Sequence, residues 1–530
     1  MNIQIINKLI SKRRRSKLRA ANRGRKTLKK EGRLDFWIEL LDSLTRTRLD
    51  NANLPKFLLS KNGVDAELSI RQSIFVRSVY RQSFNKALLC SISTNKPLRY
   101  PLPKEFQNVV MDTKRIKVDR FSCTALWYGY GLLMWVYGVF QGFKSIYYLF
   151  KKPKKLGRYI YFHSLLSDNI PIDNKTHTII NWYFQWKNRV NDIDTVCHSI
   201  GDPPDTKYNR TNMTYTDGLP YLNGIQTIKY YFWFIYLSLY SLLISLFNPY
   251  PAIMLSESIK LIRVRLAKKD QLAEDYLFHV SNPCYRPLWT YEAESKSSRV
   301  LFYFYSTNCE RFKTEKDYPM EYPWHLMSWS HYLVWDEYQV DFVKKFGQGS
   351  PVIEDVGPIW FSSNDVSVNV PLNSVAVFDI TPKRLTMFIL LGMNSEYYTP
   401  NIANQFLSDI QLVLSQNDVN ILHKIKRKEQ STDKRYRSKV NQLIRESNYI
   451  EVDPSVDATQ VIQKTKACIS MPFTSTAIIA KQEGKPSVYY DPSGIIQKND
   501  RAAHGILVLS GIDELQKWVK SLSMEDCANN

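Results

Sequence analysis

The segment Ala467-Cys468-Ile469-Ser470-Met471-Pro472-Phe473-Thr474-Ser475-Thr476 joins an apolar run to a row of hydroxyl side chains through a proline turn. It reads as a buried strand, a tight turn, and a helix opening on Thr474, Ser475 and Thr476. The first N–H groups of a helix lack partners within it and sit at the positive end of its dipole, so they suit phosphate oxygens. The neighbouring hydroxyls add hydrogen bonds to the same oxygens. The competing reading is an ordinary Ser/Thr cap on a buried helix. After Gly484-Lys485-Pro486, the run Ser487-Val488-Tyr489-Tyr490 reads as a second strand and ends at Asp491. Strand, helix, strand is a βαβ unit, and ligands lie beyond the carboxyl ends of its strands.

Cations complete the expected anion site. Lys424, Lys426 and Arg427 follow the strand-like run Asn420-Ile421-Leu422-His423, and Lys383-Arg384 follow another that ends at Asp379. With Thr474, Ser475 and Thr476 they form a nucleotide-phosphate cradle suited to a diphosphate or phosphodiester leaving group. A solvated basic face is the plainer alternative. Asp491 stands where a loop carboxylate meets a ribose or sugar hydroxyl, although Asp-Pro-Ser-Gly equally makes a turn. Upstream, Glu310, His331, Asp336 and Glu337 fall near strand ends, and one of them is expected to act as general base on an acceptor hydroxyl. The carboxylates also suit helix caps or surface ion pairs. Trp324, Trp329 and Trp335 offer faces for sugar stacking, or pack in the core.

Holding these residues calls for an α/β fold of two facing Rossmann-like domains. The first, acceptor-binding, is placed at residues 156–365 and carries an apolar insertion at 230–250. Its strands are read at Tyr159-Ile160-Tyr161-Phe162, at Thr178 to Trp182, at Arg299 to Tyr305, at Tyr332-Leu333-Val334-Trp335 and before Ile359. The second, at 374–522, holds the cradle. Residues 1–120 form a basic, mainly helical extension, and 121–155 an apolar helical segment. No G-x-G-x-x-G, Walker A, H-E-x-x-H or G-x-S-x-G pattern is present, which argues against dinucleotide redox chemistry, P-loop hydrolysis and zinc proteolysis.

The 530 residues carry a formal charge of +22, which calls for an anionic partner. The excess is concentrated between Arg13 and Arg33. The seven cysteines are scattered singly, so a reducing compartment and no metal or other cofactor are expected. The weak apolar start precedes the charges, the inverse of a secretory leader. Two stretches, Thr124 to Phe143 and Tyr230 to Phe247, are just long enough to cross a bilayer. Each is followed by lysines and arginines, and two consecutive spans would put one basic cluster on the wrong side. Membrane-associated helices lying in one leaflet against anionic headgroups are therefore expected; buried core helices are the alternative.

Pro472-Phe473-Thr474-Ser475 resembles the motif of the bacterial polysaccharide-biosynthesis PFTS family. Pro287-Leu288-Trp289-Thr290-Tyr291-Glu292, the run Phe302 to Asn308, and Leu333-Val334-Trp335-Asp336 are further likenesses. The C-terminal half is also similar to glycosyltransferases of the GT-B fold, whose C-terminal domain holds a nucleotide-sugar and whose N-terminal domain holds the acceptor. The resemblance implies sugar transfer to a lipid-linked or glycan acceptor in capsule or lipopolysaccharide O-antigen synthesis, at the cytoplasmic face of the bacterial inner membrane. Lys-x-Lys-Arg after a strand is similar to transferases using CMP-linked acidic sugars, which names CMP as a donor handle. Two other readings remain open: nucleic-acid binding through the basic arm, which lacks a recognised reading module, and a non-catalytic scaffold.

Overall fold

The computed structural model describes residues 3–32, 36–58, 65–113, 116–150, 156–163, 165, 179–187, 192–199, 206–208, 211–279, 283–304, 306, 312–313, 323–359, 370–382, 397–425, 432–454 and 456–528. Two sheets organise it. Strands β1 (Tyr159–His163), β2 (Thr195–His198), β3 (Thr206–Tyr208), β4 (Thr211–Tyr215), β5 (Asp275–Phe278), β6 (Arg299–Tyr303), β7 (His331–Val334) and β8 (Val352–Asp355) run in the order 3-4-2-1-5-6-7-8. Every neighbouring pair is parallel except β3 with β4 at the edge. Strands β9 (Ser374–Phe378), β10 (Asn420–Lys424), β11 (Tyr449–Val452), β12 (Ala467–Ser470), β13 (Ser487–Asp491) and β14 (Leu507–Ser510) form a wholly parallel sheet, ordered 11-10-9-12-13-14. The chain therefore has the two Rossmann-like halves its sequence implies.

Parallel sheets covered on both faces need strands that are apolar throughout. Every residue of β9 and β12 is buried, which is why these strands read as unbroken apolar runs. In each sheet the chain fills one side first and then crosses to the other. The reversal lies between β1 and β5 in the first sheet and between β9 and β12 in the second. Crossovers diverge there, and the loops beyond the carboxyl ends part to leave a crevice.

One expected strand is a helix. Ile179–Lys187 is helical, with Ile179, Ile180, Tyr183 and Phe184 buried; the spacing is a helix face, not an alternation. The short strands β2, β4, β5 and β14 escape a pattern reading, since four or five residues between loops carry little periodicity.

The two apolar stretches are helices Arg120–Phe150 and Gly224–Ile244, packed antiparallel. Trp135 Nε1 donates to Ser238 O at 2.9 Å, and Tyr128 Oη donates to Phe247 O at 3.1 Å. A Cβ at Gly142 would lie within the Phe234 ring, so only glycine allows this approach. Beneath both runs the helix Leu255–Leu266, which leads into β5. Its Arg263 is 1% exposed and joins the layers: it pairs with Asp217 at 2.8 Å, and donates to Pro220 O at 2.8 Å and Ser145 Oγ at 3.0 Å. Next to it, Arg265 pairs with Glu292 at 2.9 Å and donates to Leu58 O at 3.0 Å, tying in the helical N-terminal extension.

Removing a buried charge that serves several acceptors strands all of them. Arg263→Ala is expected to lower the unfolding free energy by about 3–5 kcal/mol, measured by chemical denaturation. A loss below about 1 kcal/mol would remove Arg263 as the staple between helix layers.

Candidate active site between the two sheets

The PFTS turn leaves β12 at the reversal point of the second sheet. Phe473 takes a left-handed φ of 62°, a conformation that costs a non-glycine residue about 1–2 kcal/mol. Its ring is held between Tyr489 (centroids 5.6 Å) and Phe312 (4.9 Å), the latter from the first half of the chain. Tyr398 Oη donates to Pro472 O at 3.0 Å, and Tyr489 Oη to Thr474 O at 2.8 Å. The turn is thus pinned from both sides.

The helix that follows, Ser475–Gln482, has Thr474 at its N-cap position, yet that side chain makes no capping bond. The Thr474 hydroxyl turns back to donate to Met471 O at 2.9 Å, and lies 3.1 Å from Thr476 Oγ1, which in turn is 2.9 Å from Ser470 Oγ. Ordinary capping does not explain the threonine. What the arrangement presents is a helix start whose first N–H groups are not spent on the cap side chain, ringed by hydroxyls. Ser475 Oγ reaches Ser306 Oγ of the first half at 3.3 Å, so this helix start stands at the seam between the sheets.

Other contacts close the same seam. Asp336 caps the helix Glu337–Phe346 through Gln339 N (3.0 Å), and its second oxygen lies 2.6 Å from His504 Nδ1 across the seam. Lys313 N donates to Asp500 Oδ2 at 2.7 Å. Asp336 is therefore both a cap and an inter-sheet partner, while Glu337 is exposed on the first turn of its helix. His331 opens β7 at the amino edge of the sheet, 2.6 Å from Glu354, on the side away from the seam. Position alone withdraws it as a base. Glu310 lies outside the described residues, as do Lys383, Arg384, Lys426 and Arg427. Lys424 ends β10, with Nζ directed to Pro454 O at 3.4 Å.

Asp491 is fully buried and spent on its own loop. It accepts from Tyr397 Oη (2.8 Å), Ser493 N (2.9 Å), Ser493 Oγ (2.6 Å) and Ile496 N (2.8 Å), so a ribose hydroxyl has no route to it. The expected sugar contact is a loop anchor. Trp329 and Trp335 are likewise core residues, their indole N–H groups donating to Pro283 O (2.8 Å) and Phe304 O (2.6 Å). Trp324 packs edge-on against Phe342.

Pattern reading missed two histidines at the reversal point of the first sheet. His163 is the last residue of β1, and His279 follows β5, the neighbouring parallel strand. Burial holds both imidazoles down to about 4, against 6.5 in water; the nearby Lys260 cation adds to the effect on His163. Both are neutral across the physiological range; His279 is fully buried, while His163, half-buried beside Tyr161 Oη (3.4 Å), is the one nearer the mouth of the crevice. Locating β5 in the sequence would have placed His279 there. A histidine closing an apolar run is the only local signal.

A family model described as "Polysaccharide biosynthesis PFTS motif protein" matches residues 234–519, more than half of the chain. The chain belongs to this family. The PFTS match begins inside the second apolar helix and runs through both reversal-point strands β5 and β12, with the motif itself at Pro472 to Ser475. No curated protein matches the sequence. Among solved structures, the wall teichoic acid polymerase TagF is similar over 75% of this chain and 89% of its own, at 11% identity and TM-score 0.38. The UDP-GlcNAc 2-epimerase from Methanocaldococcus jannaschii is similar over 68% and 91%, at 10% identity and TM-score 0.35. S. aureus MnaA, in its UDP co-structure, is similar over 69% and 87%, at 9% identity and TM-score 0.35. At these scores the likeness assigns neither donor nor acceptor.

The buried imidazoles make stability depend on pH with a definite sign. The unfolded chain takes up their protons near pH 6.5, the folded chain only near 4, so the stabilisation is full above 6.5 and drains away as pH falls toward 4. For His279 the loss between pH 7 and pH 5 is about 2 kcal/mol. Thermal melts across this range are expected to show it, and His279→Gln is expected to flatten the slope.

Proposed function

We propose that this protein is a glycosyltransferase of bacterial surface-polysaccharide synthesis that takes its sugar from a nucleotide-sugar donor. The observation that carries the reading is the seam itself. An anion-suited helix start at the reversal point of one Rossmann-like sheet lies within hydroxyl contact of the loop beyond β6 of the other. Two such crevices meeting edge to edge suit a reaction with two substrates, one held by each half.

On this reading the donor phosphates lie over the N–H groups of Ser475 and Thr476, ringed by the hydroxyls of Thr474, Ser475 and Thr476. Lys424, at the end of the strand beyond β9, and Lys426 and Arg427, which follow it in sequence, are the cations assigned to these phosphates. Fixed donors at that point stabilise the charge that grows on the departing phosphate as the glycosidic bond to it breaks. On this reading the cations and the helix dipole supply the positive field at the phosphates. The acceptor hydroxyl enters from the first sheet, beside His163 and His279. The neutral imidazole of His163 accepts a hydrogen bond from it and orients it for attack, with His279 packed behind as its buried support. A base held near 4 is a weak one, so orientation is its larger contribution, and the proton lost as the acceptor oxygen bonds to the sugar passes to the departing phosphate. The acceptor is a lipid-linked or glycan hydroxyl, and the products are capsule or lipopolysaccharide O-antigen. Among donors, CMP-linked acidic sugars are the first to test.

Ser475→Pro is the sharpest probe of the cradle. Proline is tolerated at the first position of a helix, and Thr474 already holds φ −82° and ψ 140°, the backbone that a following proline requires. The change removes one N–H and one hydroxyl with the fold intact. Calorimetry with CMP, UDP and GDP is expected to find one that binds, and Ser475→Pro to weaken it by about ten- to a hundredfold. Binding of none of the three, or unchanged binding in the variant, would sink the donor site. His163→Gln is expected to leave that affinity in place and to lower turnover by about a hundredfold in a sugar-transfer assay.

A further inference from the structure

Nineteen of the 26 exposed large apolar side chains among the described residues lie on two neighbouring elements, the Arg120–Phe150 helix and the stretch Gly224–Ile244 with the turn after it. Single exposed apolar residues are normal on any surface, but this concentration is a patch. Phe121, Leu133 and Phe140 on the first helix, and Phe232 and Leu239 on the second, with Phe247 in the turn after it, lie along the exposed side of the pair. No charged residue occurs between Phe121 and Phe143 or between Tyr230 and Phe247. The charge-free band is about 33 Å long at about 1.5 Å per residue.

We propose that this two-helix face is seated in one leaflet of an anionic lipid bilayer, both helices lying in the membrane plane. The charge pattern selects lipid. The helices are antiparallel, so the exposed Lys144 and Lys229 come to the same end of the band, where they meet headgroups as the apolar side chains enter the acyl region. A further basic element stands near the other end. The helix Ile3–Lys30 has no acidic residue, and it packs on the helix Gln82–Thr94 through Gly24 against Leu89. The chain beyond Thr94 is bonded to the start of the first apolar helix, where Cys123 Sγ donates to Leu98 O.

Packing beneath the band decides against spanning. Gly138 lies against Leu255, Ser145 bonds Arg263, and Gln226 Nε2 donates to Leu266 O at 2.9 Å, so the Leu255–Leu266 helix underlies the pair along its length. That helix carries Glu257, Lys260, Arg263 and Arg265 and continues into β5. Standing the pair across a bilayer would draw these charges and the edge of a sheet into hydrocarbon. Lying flat leaves them on the protein side. The inference stands apart from the donor reading, since the face belongs to the first half of the chain and touches none of the cradle.

The test is flotation of the full chain with vesicles of phosphatidylcholine, with and without phosphatidylglycerol. The wild type is expected to float with both, more completely with phosphatidylglycerol, and salt is expected to remove only that added part. Phe140→Glu with Phe232→Glu and Leu239→Glu is expected to cut the bound fraction by at least about tenfold, with melting temperature and nucleotide affinity unchanged. Lys144→Glu with Lys229→Glu, which leaves the apolar face whole, is expected to lose only the phosphatidylglycerol preference. A fluorophore on Phe140→Cys is expected to be quenched by lipid nitroxides in the near leaflet alone. Flotation unchanged in the triple variant overturns the proposal. So does a wild-type dimer in detergent-free solution that the triple variant splits, because a second copy would then own the face. Quenching from both leaflets overturns the in-plane placement.

Discussion

Parallel strands force a long crossover after every strand, and the whole molecule turns on where those crossovers change side. At that point two successive loops leave in opposite directions and a gap opens above the sheet. Both sheets place the gap at central, largely buried strands: β1 with β5, and β9 with β12. Residues leaving those strands are therefore held by a rigid core at the edge of the gap, most of them still buried. This is why the PFTS turn and the two neutral histidines stand out from a surface otherwise governed by capping and ion pairing.

A second dependence follows from the strained turn. Left-handed backbone at Phe473 persists only because packing over-determines it. One of the rings that does so, Phe312, comes from the other half of the chain. The same ring touches Tyr397 and Tyr398, which bond Asp491 and Pro472 O respectively. Turn geometry, the loop after β13 and approach of the two halves are thus parts of one packed cluster. Separation of the halves would withdraw Phe312 and loosen the turn together with the Ser306–Ser475 contact. Shape of the PFTS turn and closure of the seam are coupled through van der Waals contact, with no charge needed to link them.

Much of this was legible in the sequence, and the reason differs from element to element. β9 and β12 announce themselves because strands buried on both faces are apolar at every position. The helix start at Ser475 is legible because a proline turn followed by three hydroxyl residues has few other uses. Ile179–Lys187 was misread as a strand because its apolar residues crowd a short window, and only the four-residue spacing of Ile179, Tyr183 and Ile180, Phe184 marks the helix. Asp491 reads as a turn or as a sugar ligand with equal ease; its burial, supplied by Tyr397 from far along the chain, decides for the turn. His163 and His279 are 116 positions apart and become neighbours only through the pairing of β1 with β5. Long-range pairing is the information that local pattern lacks.

The apolar helices and the first crevice share one rigid support. Leu255–Leu266 carries both helices on one side, packs against Leu288–Ser295 on another, and runs into the strand that His279 follows. The second half reaches this body mainly through contacts along the seam. On the proposed reading, lipid would hold the acceptor half in place, and a lipid-linked acceptor would reach the histidines without leaving the bilayer surface. The donor half, joined by hydroxyl, ion-pair and ring contacts, would be the part free to separate and reload. A soluble nucleotide-sugar needs such an opening, and a membrane-bound acceptor does not. On that reading, the asymmetry in what each half would touch matches the asymmetry between the two substrates.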